Sequence, residues 1–454
     1  MSAARAGQAS STLTRPGPAG QIHDMLSLHG GSDQMDPQQE TVLKKIAWRI
    51  VPLLTLAYVA NYLDRTNIGF AALTMNKDLG FTATEFGYGA GILFLGYTIF
   101  EIPSNLALYR FGARRWIARI MITWGLVSAL TALVVGVKSY YLARFALGVA
   151  EAGFFPGVTY YFAAWFPTQY RTRMLAWFLV AVPLSSVVGG PISGLLLELD
   201  GVLGLKGWQW LFIVEGIPAV ILGILVLRVL ADRPETAPWL SPKERDILKG
   251  MLDEEHRERP KSSLVTALSD IRVIMLAVVQ FGFTLGSYGV GIFLPQIIKT
   301  SGLSNIVVSF LAAIPYIFAS VGMIWWAWHV DRTGKKIGNL TIACGVAAVG
   351  LAASVLSGNL LIALAALTVA LVGITSARAI FWPIPTRFLS GVGAAGGLAF
   401  INSIGTVGGF AGPSLMGVMR DYTGSFTAGL LAMAAILLLT TLLAACLKRV
   451  IKVE

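Results

Sequence analysis

Charge is what this chain has least of: 13% of its 454 residues are Asp, Glu, Lys or Arg, while 55% are hydrophobic. A water-exposed globular protein of that length needs far more polar surface, so that class is excluded. Histidine is scarce too. His23, His29, His256 and His329 stand apart with no ligand spacing, and Cys344 and Cys446 lie in apolar runs. No metal site, disulfide framework or cofactor motif follows from them. A nucleophile elbow and a His-based acid/base set are also missing, which argues against an enzyme. Residues 1–40 lack an apolar core and are rich in Gly, Ser, Gln and Pro. They read as a disordered tail rather than a signal peptide.

What the chain has is long apolar runs. Twelve are expected as membrane spans, at 46–68, 82–106, 115–136, 139–166, 172–198, 209–230, 272–298, 304–329, 337–357, 359–388, 393–419 and 426–447. Each can cross a hydrocarbon core of about 30 Å as a helix. Most of the 35 Lys and Arg fall in the termini and in alternate loops. That bias places both termini in the cytoplasm, and it makes the net charge of +11 a sign of orientation, not of a nucleic-acid partner. Residues 231–270 form the one long polar connection, where Ser241-Pro242-Lys243-Glu244 spells the start of a short amphipathic helix. The expected layout is thus a tail to residue 40, a six-helix half at 41–230, a linker at 231–270 and a second half at 271–454.

The two halves repeat. Pro167-Thr168 matches Pro385-Thr386, Gly189-Gly190 matches Gly408-Gly409, and Gly112 in FGARR matches Gly334 in TGKKI, all at nearly one offset. Such agreement points to a duplicated six-span unit. In transporters built this way, substrate binds between the halves near the midplane.

Charges inside the spans are costly, roughly 2.5–3.5 kcal/mol each on insertion scales, so they mark function or ion pairs. The first half carries Asp64 and Arg65 in ANYLDRTNIGFA, and Arg144 and Glu151 in ARFALGVAEAGFFPG. Arg144 and Glu151 are seven residues apart, close to two helical turns, so they share a face. The second half offers Arg378, nine residues before Arg387; a continuous helix would put it about 14 Å deep, on one face with Trp382. Glu101 and Glu215 are candidates for relays or for structural roles. Gly391-Val-Gly393-Ala-Ala-Gly396 spells a dinucleotide fingerprint but follows no strand. Trp325, Trp326 and Trp328 read as an interfacial belt.

The basic loop after the second span and its copy after the eighth resemble the major facilitator superfamily. Within it, NYLDRTNIGFA, RFALGVAEAGFFPG, EIPSN, FWPIPTRFL and INSIGTVGGFAGP are similar to the anion:cation symporter family, which includes tartrate, phthalate, hydroxyphenylacetate and galactonate permeases. The resemblance implies that Asp64 and Glu151 are the protonatable carboxylates and that Arg65 and Arg144 pair with them. It implies that Tyr62, Tyr97, Trp382 and Asn402 line the substrate site. Arg110, Gly112 and Arg114, with Asp331, Arg332 and Gly334 in the second copy, form the gating loops. Asn105 and Tyr109 stand where that pattern has Gly and an acidic residue, so the first copy lacks the charge of a latch.

The expectation is an all-α membrane protein of twelve transmembrane helices in two pseudo-repeats. It would import a small organic carboxylate with a proton, as a monomer in a bacterial inner membrane, with the lipid bilayer as its other partner. Sodium coupling, exchange, or a non-transporting sensor of the same anion are the alternatives. Arg378, facing Arg65 or Arg144 across the cavity, favours a substrate with two negative groups.

Overall fold

The computed structural model describes residues 36–256, 269–356, 358–389 and 391–451. The expected tail up to residue 35 and residues 257–268 of the linker lie outside them. Among the described residues, all regular structure is helical. In the first half the helices are α1 (Pro37–Leu79), α2 (Ala83–Phe111), α3 (Ala113–Leu130), α4 (Val137–Glu151), α5 (Phe154–Trp165), α6 (Thr168–Leu179), α7 (Ala181–Leu197) and α8 (Gly207–Val229). The linker holds α9 (Pro242–His256). The second half follows with α10 (Ile271–Lys299), α11 (Asn305–Thr333), α12 (Lys336–Ser354), α13 (Leu360–Phe381), α14 (Gly391–Thr423) and α15 (Thr427–Val450).

Ten stretches are helices long and apolar enough to cross a membrane. The two other expected spans take different forms. The fourth, expected to be continuous over 139–166, is broken into α4 and α5. The eleventh is α14, a glycine-rich helix of 33 residues. Helix α1 starts earlier than expected: the side chain of Asp36 accepts the amide of Gln38, and Pro37 takes the first helical position. Its 43 residues span about 64 Å, twice the hydrocarbon core, so its basic start projects beyond the bilayer.

Packing repeats between the halves. In the first half α1 lies along α7 and α8, α2 along α4, and α3 along α8; in the second, α10 lies along α14 and α15, α11 along α13, and α12 along α15. The duplication read from three short motifs is therefore present in the helix neighbourhoods. The halves meet along α2 with α14, α7 with α11, and α1 with α10. The first two seams are equivalent under the repeat.

Between helices in lipid the hydrophobic effect supplies no attraction, so close contact relies on small residues. The seams obey this. A Cβ at Gly91 would lie 2.8 Å from the carbonyl oxygen of Phe410, and one at Gly190 2.6 Å from that of Ser309. These contacts lie in the half of the molecule away from the chain termini. There the space lined by Thr66, Phe70, Gly291 and Tyr316 shrinks to about 10 Å³, at most one water. The seams between the halves are tightly packed at this level.

Candidate functional site

Asp64 and Arg65 sit past the middle of α1 and point to different partners. Asp64, fully buried, accepts the hydroxyl of Ser128 at 2.5 Å and the indole N–H of Trp124 at 3.0 Å, both from α3. Arg65 donates from Nε to Oε2 of Glu151 at 2.6 Å. Its guanidinium also lies over the ring of Tyr97 (4.9 Å) and beside that of Tyr62 (5.8 Å).

Glu151 is the last residue of α4. The chain turns out of the helix at Ala152 (φ −55°, ψ 131°), and Gly153 takes a left-handed conformation (φ 86°) before α5 begins. A Cβ on Gly153 would collide with the hydroxyl of Ser104 as well. Two local features dictate this break: a residue that reaches positive φ cheaply, and Pro156, which has no N–H for a continuing helix. A broken helix at membrane depth needs shelter from lipid, and Glu151, Ala152 and Phe154 are all fully buried. The ion pair thus forms where a span is interrupted, which reading the fourth span as one helix did not anticipate.

Arg144 shares α4 with Glu151 but does not bond to it. It is 1% exposed, and all three guanidinium nitrogens lack a hydrogen-bond partner within the protein. Oε1 of Glu151 is likewise buried and unpartnered.

The second half brings Arg378 to the same place. Helix α13 stops at Phe381, so the continuous helix used to estimate its depth is not there. Pro383 and Pro385 end it, because neither has an N–H to donate to the helix; Trp382 and Ile384 before them keep helical angles, and the chain passes into a short 3-10 turn at Pro385–Arg387. Arg378 lies in the last turn, where a cation is favoured. Its Nη1 donates to the Tyr62 hydroxyl at 3.0 Å and its Nη2 to Ser287 at 3.1 Å. Tyr288 completes the group, its hydroxyl 3.5 Å from that of Tyr62 and its ring 5.9 Å from the Arg378 guanidinium. Tyr62 is therefore held between Arg65 from its own half and Arg378 from the other. Ser287 and Tyr288 carried no signal in the sequence, since single polar residues in an apolar run look alike.

The remaining expected residues are placed around this core. Asn402 on α14 donates to Oε1 of Glu101 on α2 at 2.9 Å, joining the halves nearer the termini. Trp382 is the C-cap of α13 and packs edge-on against Phe381 at 5.5 Å. Trp326, expected in an interfacial belt, is buried and donates to Asn339 at 3.0 Å, while Trp325 and Trp328 are exposed.

The two basic loops differ. In the first, Gly112 has φ 90°, and the amide of Arg114 donates to Oδ1 of Asp232 at 2.9 Å, with its Nε 3.8 Å from Oδ2. Asp232 comes from the start of the linker, so the acid absent from the loop motif is supplied from just beyond the first half. A Cβ on Gly112 would press on this carboxylate at 2.7 Å. Arg110 lies over Phe111. In the second loop, Gly334 forms a left-handed helix cap, Arg332 stacks on Trp328 at 3.9 Å, and Asp331 is exposed. The linker is docked further by Lys45, whose ammonium reaches both oxygens of Glu244 at 2.9 Å. That hydrogen bond holds the Glu244 carboxyl below the usual carboxylate range. The capping box Ser241–Glu244 forms as expected.

A crystal structure of a bacterial homolog of the human lysosomal transporter Spinster, inward-facing and occupied, matches with a TM-score of 0.73, covering 88% of this chain and 96% of that one at 15% identity. A D-xylose–proton symporter matches at 0.71, covering 87% and 97%, also at 15% identity. At that identity the likeness concerns the fold. By sequence, the chain is 53% identical to a protein of Agrobacterium vitis named "Putative tartrate transporter", over 90% of this chain and 91% of the relative. It is 35% identical to the inner membrane transport protein RhmT of Escherichia coli strain K12, over 89% and 94%. The family model described as Major Facilitator Superfamily matches residues 54–413. The chain is an integral multi-pass membrane protein, and it belongs to the major facilitator superfamily of secondary transporters.

Proposed function

We propose that this carrier takes up a small organic dicarboxylate together with a proton. The observation that carries the reading is the placing of two arginines from opposite halves around Tyr62, Arg378 on its hydroxyl and Arg65 beside its ring. Arg65 has Glu151 as its counter-ion; Arg378 has no carboxylate within ion-pair distance among the described residues. An arginine fork grips a carboxylate at two points and stays charged, which suits it to an anionic substrate. The A. vitis relative is named for tartrate, a dianion at neutral pH, which agrees with two such forks.

In the mechanism, one substrate carboxylate binds Arg378 and the other draws Arg65 away from Glu151. A buried charge left without its partner costs about 3–5 kcal/mol, and a proton on Glu151 removes that cost. Arg144, with three buried unpartnered guanidinium nitrogens, stabilises negative charge at this point whichever group holds it. Asp64, already held by Trp124 and Ser128, is the second proton site. Neutralised carboxylates let the loaded carrier reorient, while Arg65–Glu151 pairing resets the empty one. The gating loops act at the terminal face.

The Lys and Arg bias supports cytoplasmic termini, and the bacterial relatives support an inner membrane. The close seams within one chain support a monomer. Cysteines placed at Lys77 or Lys206 should react with an impermeant thiol reagent from outside, and one at Lys243 should not; the reverse would invert the orientation. For coupling, proteoliposomes should concentrate tartrate when the outside is made acidic and not when a sodium gradient alone is imposed. Accumulation driven by sodium, or exchange without net uptake, would overturn proton symport.

A further inference from the structure

Apart from the central site, one strongly basic cavity stands out on the terminal face. It measures about 490 Å³, lies where α1, α3 and α8 meet the linker, and is lined by Arg49, Arg114, Arg228, Asp232, Arg233 and Trp239. That is four guanidinium groups against one carboxylate. Asp232 is already engaged with the amide and the Nε side of Arg114. Among the described residues, Arg49, Arg228 and Arg233 have no carboxylate within ion-pair distance. The indole N–H of Trp239, and Nε of Arg114 at 3.8 Å from Asp232, are buried and have no hydrogen-bond partner within the protein. Trp239 is fixed in place: it stacks on Trp165 at 5.4 Å and carries the Arg49 guanidinium over its face at 5.1 Å.

Like charges drawn around one space repel, and buried donors without acceptors are costly. Both penalties disappear if an anion with several acceptor oxygens occupies the cavity. The volume is well above the roughly 30 Å³ that a water occupies and within the range of small-molecule sites, so the anion can carry a substituent. Depth narrows the choice. Arg228 lies in the last turn of α8, an apolar span with mean hydropathy 2.4, which puts its charge where hydrocarbon gives way to headgroups. Basic pockets at that level between membrane helices suit lipid phosphates.

We propose that this cavity binds a phosphate group, and that its source is the headgroup of an anionic phospholipid. The bound phosphate would bridge α1, α8 and the linker, clamping the linker against the first half. It does not depend on the identity of the transported anion.

The test uses the purified full-length chain in a neutral detergent, titrated with phosphatidylglycerol, phosphatidylcholine or inorganic phosphate and followed by thermal unfolding and native mass spectrometry. Phosphatidylglycerol should raise the unfolding temperature and stay bound in the mass spectrum, while phosphatidylcholine should do neither. In the double variant Arg228→Gln, Arg233→Gln the apparent affinity should fall at least tenfold. Both side chains are exposed, so the fold should tolerate the change; Arg49→Gln serves as a second variant with the same expectation. Equal protection by inorganic phosphate would uphold the phosphate site and overturn the lipid source. Equal protection by both lipids, or phosphatidylglycerol binding unchanged in both variants, would overturn the site.

Discussion

The Nε of Arg65 lies 2.6 Å from Oε2 of Glu151, at the residue where α4 ends inside the bundle. A carboxylate at a helix break is reached by groups from more than one direction, and here its second oxygen is buried with no partner. In the proposed mechanism substrate opens this pair, which lies where the backbone is already interrupted.

Removing the charge of Glu151 while keeping its shape therefore separates binding from coupling. Glu151→Gln should abolish tartrate accumulation driven by a pH gradient, while exchange of labelled for unlabelled tartrate at equal pH persists within about tenfold. Asp64→Asn should act in the same direction. A Glu151→Gln protein that still concentrates substrate would remove this residue from the proton path.

The break itself is testable through Gly153. Any side chain there meets the hydroxyl of Ser104 and must hold a left-handed backbone, which costs an L-residue about 1–2 kcal/mol before the clash is counted. Gly153→Ala should lower the unfolding temperature by several degrees and impair transport. An unchanged unfolding temperature would show that α4 and α5 can fuse or shift freely.

Much of this was legible in the sequence, for identifiable reasons. Spans, halves and the charged residues within spans follow from hydropathy and from the cost of intramembrane charge, and these are strong signals. The capping box at Ser241 is local and was readable for that reason. The break after Glu151 was signalled by Gly153 and Pro156, but a long apolar run masks such punctuation. Contacts between residues far apart in the chain were not readable at all. Asp232 completing the first basic loop, Ser128 and Trp124 holding Asp64, and Tyr288 beside Arg378 each depend on how helices pack. Arg378 itself was visible as a charge in an apolar stretch, but its level was not, because the proline pair after Phe381 stops the helix from which that level was counted.

The linker should respond to acid in a definite direction. Pairing with Lys45 depresses the Glu244 carboxyl, so its contribution to docking is present above the ordinary Glu range, about 4.3, and is lost as pH falls through the lower folded value. The pair is exposed and its contribution small. Fluorescence of Trp239 should stay constant from pH 8 to about pH 5 and change only at about pH 4 or below. Glu244→Gln should remove that acid transition; one that persists unchanged in the variant would place its origin in other groups.

The grip of two arginines on two substrate charges is tested most directly by Arg378→Gln, comparing tartrate with a monocarboxylate of similar size. Removing one charged hydrogen-bonding partner costs about 1.5–3 kcal/mol, so the dissociation constant for the dianion should rise about 10- to 150-fold. The monocarboxylate, which needs only Arg65, should lose less than about threefold by the same scale. Binding is read by titration calorimetry on purified protein, and the ratio of the two losses is the result that matters. A ratio of at least about three, the least these losses allow, supports a dianion held across the halves by Arg65 and Arg378. Equal losses for both anions would contradict it and leave Arg378 a general electrostatic or structural role.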